Sequence, residues 1–262
     1  MSRLSFKKLN GLLIKFFQIN LIVLTVIVCA ISVNSKSFLE FKNLPEENFV
    51  NILQTKTLLN DCEDTGITTD CIKEELIVEV SASGVIFDYD DEFSYILTAN
   101  HFCNQIDFPD FIFDSNSIET DFWITDHQGT TRIAEVVYST FKNDLCLMKA
   151  KIKTNKRIEI YKKMPVIGDK VYAIAAPHAI RPKGVSLHFE GIFSGCDSSG
   201  KCYYTIPATS GSSGSLVFDH KGRIIGMIQM TAIGFNAISM GAGAEAITLF
   251  LEEAYSESNI DL

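Results

Sequence analysis

From residue 76 onward the chain breaks into short apolar runs separated by Gly, Asp and Asn. They fall at 76–80, 84–87, 95–98, 121–125, 132–138, 145–150, 170–175, 187–193, 203–206, 215–218 and 224–230. Runs this short, punctuated by turn-forming residues, predict strands of an all-β sandwich or barrel. No internal repeat is visible. The pattern changes at 245–254, where Ile247, Phe250 and Leu251 recur at helical spacing while Glu252 and Glu253 fall on the other side, predicting a closing helix docked on the β core. Ahead of the strands, 37–61 also reads as helical. Pro45 suits a first turn, Glu46 and Glu47 sit near the positive end of the helix dipole, and Phe49, Ile52 and Leu53 share a face.

The first 36 residues differ in kind. Arg3, Lys7, Lys8 and Lys15 precede a nearly uncharged apolar segment at 16–33, which reads as a signal sequence or a single membrane-spanning helix. Ala30-Ile31-Ser32 offers small residues for a signal peptidase, so cleavage and retention as a membrane tether both stay open. A lipoprotein reading of Cys29 is opposed by bulky Val28. The positive flank stays in the cytoplasm, so either outcome exports the remainder, whether secreted, periplasmic or anchored. The expected organisation is a signal or anchor at 1–36, an extension at 37–75, a β-rich domain at 76–255 and a tail at 256–262.

Composition narrows the function classes. The 262 residues are 47% hydrophobic, enough for a sizeable core, and the net charge of -9 argues against a nucleic-acid partner. The one basic stretch, Lys149 to Lys163, reads as a solvated connector. Six cysteines follow Cys29, an even number that suits an oxidising compartment. Cys62 with Cys71 and Cys196 with Cys202 are close enough to close short loops. The second pair flanks Asp197-Ser198-Ser199-Gly200-Lys201, a turn-rich insert between strand-like runs, and predicts a stapled hairpin. Cys103 and Cys146 either pair or remain buried thiols. No cysteine or histidine spacing predicts a metal site, and no organic cofactor is implied.

The chemistry concentrates in three places. Thr98-Ala99-Asn100-His101 closes one apolar run, Asn143-Asp144-Leu145 opens another, and Gly211-Ser212-Ser213-Gly214-Ser215 precedes a third. Acyl transfer by serine requires an activated hydroxyl, a base, a group that fixes the base's tautomer, and donors aimed at the developing oxyanion. Ser213, His101 and Asp144 supply the first three, and the N–H groups of Gly211 and Ser213 the fourth. A lone histidine, a strand-capping aspartate or a Ser/Gly loop would each be unremarkable. Their occurrence together, in order and beside strand-like neighbours, favours catalysis. An α/β-hydrolase elbow would need glycine where Ser215 stands, a helix after the turn and a later histidine, for which only His220 is available. A subtilisin-like order would draw on Asp88, Asp90 or Asp91, which lie in a solvated turn. His127, His178, His188 and His220 read as loop or surface residues.

With Ser83-Gly84-Val85-Ile86, Gly168-Asp169-Lys170-Val171 and Gly222-Arg223-Ile224-Ile225-Gly226, these motifs make the chain resemble the trypsin-like serine peptidases of the chymotrypsin fold, especially their bacterial HtrA-like branch. The resemblance covers about 76–255. It implies two antiparallel six-stranded β-barrels, peptide or protein substrates and a serine endopeptidase activity, with His101 and Asp144 on the first barrel and Ser213 on the second. It does not extend to a PDZ domain. Ser212 stands where many relatives have an acid, which disfavours trypsin-style zymogen activation. Pro207 occupies the position that carries an acid in relatives selecting Lys or Arg. With Ile228, Gln229, Met230 and Thr231 bordering the pocket, the expectation is a small or medium apolar P1 residue. The alternative is a silent protease fold acting as a binding or scaffolding module. Oligomeric state is left open.

Overall fold

The computed structural model describes residues 43–59, 75–104, 118–154, 156–232 and 234–258. The signal or anchor segment and the Cys62/Cys71 pair lie outside them. Among the described residues no helix is long and apolar enough to cross a membrane.

The first strand, β1 (Phe49–Leu59), follows a 3-10 turn at Glu46–Asn48 and pairs antiparallel along its length with β2 (Glu75–Tyr89). This corrects the helical reading of that segment. The spacing of Phe49, Ile52 and Leu53 fits a helix, but β1 is also hydrogen-bonded on its other edge to β4 (Ile118–Asp126), so neighbours on both sides decide its conformation. Its inward positions are Val50, Ile52, Gln54 and Lys56, all buried. The supposed extension therefore supplies a barrel strand.

With β3 (Ser94–Ala99), β5 (Thr131–Thr140) and β6 (Leu145–Ala150), these strands close a barrel in the order β1-β2-β3-β6-β5-β4. Its interior is filled by Ile52, Ile86, Ile96, Phe122, Ile124 and Met148, contributed by five of the strands. Gly84 is required by this packing, because a Cβ there would lie 2.8 Å from the Ile52 side chain. The basic segment after β6 is a connector with its lysines exposed, anchored by buried Ile152 and Ile158.

The second half is an open seven-stranded half-barrel. It contains β7 (Lys170–Ala175), β8 (Leu187–Cys196), β9 (Lys201–Tyr204), β10 (Leu216–Phe218), β11 (Ile224–Met227), β12 (Met230–Ala232) and β13 (Phe235–Ala242), ordered β11-β10-β7-β8-β9-β13-β12. The apolar run at 224–230 thus divides into two strands around Ile228 and Gln229. Cys196 and Cys202 form the disulfide that closes the β8–β9 hairpin, while Cys103 and Cys146 form a second one. The final helix, at Ala244–Ser258, buries Ile247, Phe250, Leu251 and Ala254. Phe250 packs against Tyr138 of β5 with ring centroids 5.4 Å apart, so the helix returns to the first barrel.

Candidate active site

His101 sits on a single helical turn, α1 (Asn100–Cys103), that continues directly from β3. Its neighbours are anchored: Phe102 is buried 6.0 Å from Phe122, its carbonyl accepts a bond from Gln54 Nε2, and Cys103 is covalently tied to Cys146. His101 itself remains exposed.

Asp144 ends the tight turn before β6 with φ +52°, a left-handed conformation that aspartate tolerates better than most residues. One carboxylate oxygen accepts the His101 backbone N–H at 2.7 Å and the other lies 2.8 Å from His101 Nδ1. The Asp144 backbone carbonyl accepts the Asn100 N–H at 3.0 Å. Two main-chain links and one side-chain link therefore hold the imidazole against the carboxylate. That contact leaves Nε2 as the ring nitrogen available to another group.

Ser213 lies in the turn before β10. Gly211 has φ +88° and a Cβ there would come within 2.6 Å of the Ala176 carbonyl, so only glycine fits. Gly214 has φ +87°, and a side chain would overlap the Ser83 carbonyl and the Thr98 hydroxyl. The turn is fastened to the first barrel by Ser83 of β2. Its N–H donates to the Ser213 carbonyl at 2.8 Å, its hydroxyl donates to the Gly211 carbonyl at 2.8 Å, and the same hydroxyl accepts the Ala176 N–H at 3.0 Å. The Ser210 carbonyl is held by the His178 N–H at 2.7 Å. Among the described residues neither the Gly211 nor the Ser213 N–H has an acceptor, leaving two donors available in the turn. In the sequence Ser83 stands out only as part of the motif Ser83-Gly84-Val85-Ile86 and His178 only as a loop or surface residue, and neither shows that it holds the serine turn.

The Ser213 hydroxyl donates to the Gln229 carbonyl at 3.2 Å and makes no hydrogen bond to His101. A cavity of about 100 Å³ adjoins it, lined by Ala208, Thr209, Ser210, Ser212, Ser213, Ile228, Met230 and Thr231. Three of the expected pocket residues, Ile228, Met230 and Thr231, are in that lining. Pro207 is exposed and lies outside it, with Ala208 in its place. Gln229 also lies outside it, its amide directed at the Asp144 turn. Among the described residues no cluster of three or more His, Cys, Asp or Glu side chains is placed to hold a metal.

A closed β-barrel carrying a His–Asp pair, joined to a half-barrel carrying a glycine-flanked serine turn, defines the chymotrypsin-like class of serine peptidases. Residues 82–227, more than half of the chain, match the trypsin-like peptidase domain family, and the chain belongs to that family of serine-type endopeptidases. The same fold is found in the HtrA-type protease AlgW, solved in a serine-to-alanine variant with a decapeptide. That structure superposes with a TM-score of 0.61 at 18% identity, covering 84% of this chain and 67% of its own. A serine endoprotease from Yersinia pestis superposes at 0.58 and 19% identity, with 84% and 66% covered. The chain thus spans about two thirds of the length of these structures. No curated protein matches it.

Proposed function

We propose that the protein hydrolyses peptide bonds through an acyl-enzyme, with Ser213 as nucleophile, His101 as general base and acid, and Asp144 as the group that orients and stabilises the imidazole. The observation that carries this reading is the doubly held His101–Asp144 pair, with Nε2 left for the serine. The Ser213 hydroxyl leaves the Gln229 carbonyl by rotation about its Cα–Cβ bond, passes its proton to His101 and attacks the substrate carbonyl. The unpaired N–H groups of Gly211 and Ser213 receive the oxyanion, an interaction worth on the order of a hundredfold or more in rate per donor. His101 then protonates the leaving amine, and water repeats the sequence to release the acid.

The small cavity and its Ala208, Ile228 and Met230 lining favour an Ala- to Val-sized P1 side chain. The structural relative with a bound decapeptide supports peptide substrates. Two disulfides favour an oxidising compartment, in keeping with export directed by the apolar segment at 16–33.

Fluorophosphonate labelling tests the assignment: wild type reacts and Ser213→Ala does not, at unchanged thermal stability. Equal labelling of the two would refute it. The absent Ser213–His101 bond favours a second reading, a silent binding module, and an unreactive but folded wild type would establish that instead.

A further inference from the structure

We propose that Gln229 is a positioning residue of the hydrolytic site, holding the Asp144 turn and seating the resting nucleophile, rather than a wall of the specificity pocket. The inference rests on the triad assignment above.

Gln229 is buried, all four of its polar groups are hydrogen-bonded, and its side-chain Nε2 reaches across the seam to the first barrel. Its side-chain Nε2 donates to the Asn143 and Asp144 carbonyls, each at 2.7 Å. Its Oε1 accepts the buried Ala242 N–H at 2.9 Å, its main-chain carbonyl accepts the Ser213 hydroxyl at 3.2 Å, and its main-chain N–H donates to Met240 at 3.0 Å. The amide orientation is fixed by these partners. Flipping it would set Oε1 against two carbonyl oxygens and the NH₂ group against an N–H. Gly241 makes the room, since a Cβ there would lie 3.0 Å from both Gln229 N and Oε1.

The geometry links two groups that no other described residue joins directly. The Asp144 carbonyl that receives Nε2 also receives the Asn100 N–H, next to His101, so the amide steadies the turn from which the carboxylate reaches the imidazole. From the other side of the same residue, the main-chain carbonyl sets where the Ser213 hydroxyl waits. Both amide hydrogens are used, and no hydroxyl or carboxylate in that position would satisfy both carbonyls. Leaving buried acceptors unpaired is costly, so a change at Gln229 shifts the Asp144 turn rather than simply deleting a contact.

Two near-isosteric variants test this against a pocket role. Gln229→Glu keeps an acceptor for Ala242 but confronts the two carbonyls with a carboxylate. Gln229→Met removes donor and acceptor alike. For a small-P1 peptide substrate, both are expected to lose at least tenfold in kcat with KM within about twofold, in protein whose thermal unfolding stays cooperative. In Gln229→Glu the ratio of variant to wild-type kcat rises as pH falls from 8 to 5.5, because a protonated carboxyl regains one donor. In Gln229→Met that ratio is flat. Should Gln229→Glu fail to fold, the kcat and KM split of Gln229→Met decides alone. Wild-type kcat in a folded variant, or a loss confined to KM, overturns the inference. If wild type is itself unreactive, or Ser213→Ala still labels, the triad assignment fails instead.

Discussion

Replacing Cys103 and Cys146 together by alanine removes a cross-link whose ends are 43 residues apart in sequence, against 6 for Cys196 and Cys202. In the chain-entropy picture, closing the longer loop is worth about 4 kcal/mol and the shorter about 2 kcal/mol. Truncating Cys146, fully buried in β6, adds about 1 kcal/mol of lost packing. A domain of ordinary stability holds only about 5–15 kcal/mol, so the first double variant should unfold at markedly lower urea while the second loses roughly half as much. The two bridges also differ in place. Each cysteine of the long bridge stands two residues beyond a member of the His101–Asp144 pair, whereas the short bridge staples the β8–β9 hairpin. Cys103→Ala/Cys146→Ala should therefore also slow fluorophosphonate labelling under conditions where it is still folded, and Cys196→Ala/Cys202→Ala should not. Equal losses of stability in the two variants, or slowed labelling in the hairpin variant alone, would refute the reasoning.

Gly214→Ala should cost about 3 kcal/mol in chemical denaturation and abolish labelling, because its φ of +87° and its contact with Ser83 exclude a side chain. Ala208→Val should fill the cavity beside Ser213 and lower kcat/KM at least tenfold for a valine P1 peptide relative to an alanine P1 peptide. Asp197 is held down to about 2, first by the Ser199 hydroxyl and then by backbone N–H groups and Tyr203. A depressed carboxyl stabilises the fold above its unfolded value and loses that contribution as pH falls toward about 2, so the difference in denaturation midpoint between wild type and Asp197→Asn should be present at pH 6 and vanish near pH 2.

Much of the architecture was legible because its strands carry uninterrupted apolar signals. The runs at 145–150 and 170–175 coincide with β6 and β7, and Ile247, Phe250 and Leu251 mark the buried face of the last helix. β1 was hidden because its inward positions alternate Val50 and Ile52 with Gln54 and Lys56, so period-two hydrophobicity fades halfway along. β13 was hidden for a related reason: Asn236, Ser239 and Gly241 interrupt it, and its partners β9 and β12 supply the order. At the site, chain order and glycine placement brought out His101, Asp144 and Ser213. The direction in which Gln229 points had no sequence signature, since an amide beside a pocket and an amide under a turn read alike.

The knot of hydrogen bonds around Ser83 has a consequence for biosynthesis. Ser83 belongs to the half of the domain made first, and the turn it fastens belongs to the half made last. A nascent chain therefore carries His101 and Asp144 before the serine turn is made, and the bonds from Ser83 to the Gly211 and Ser213 carbonyls form only once both halves are present. Full order in the serine turn thus awaits the docking of the two halves.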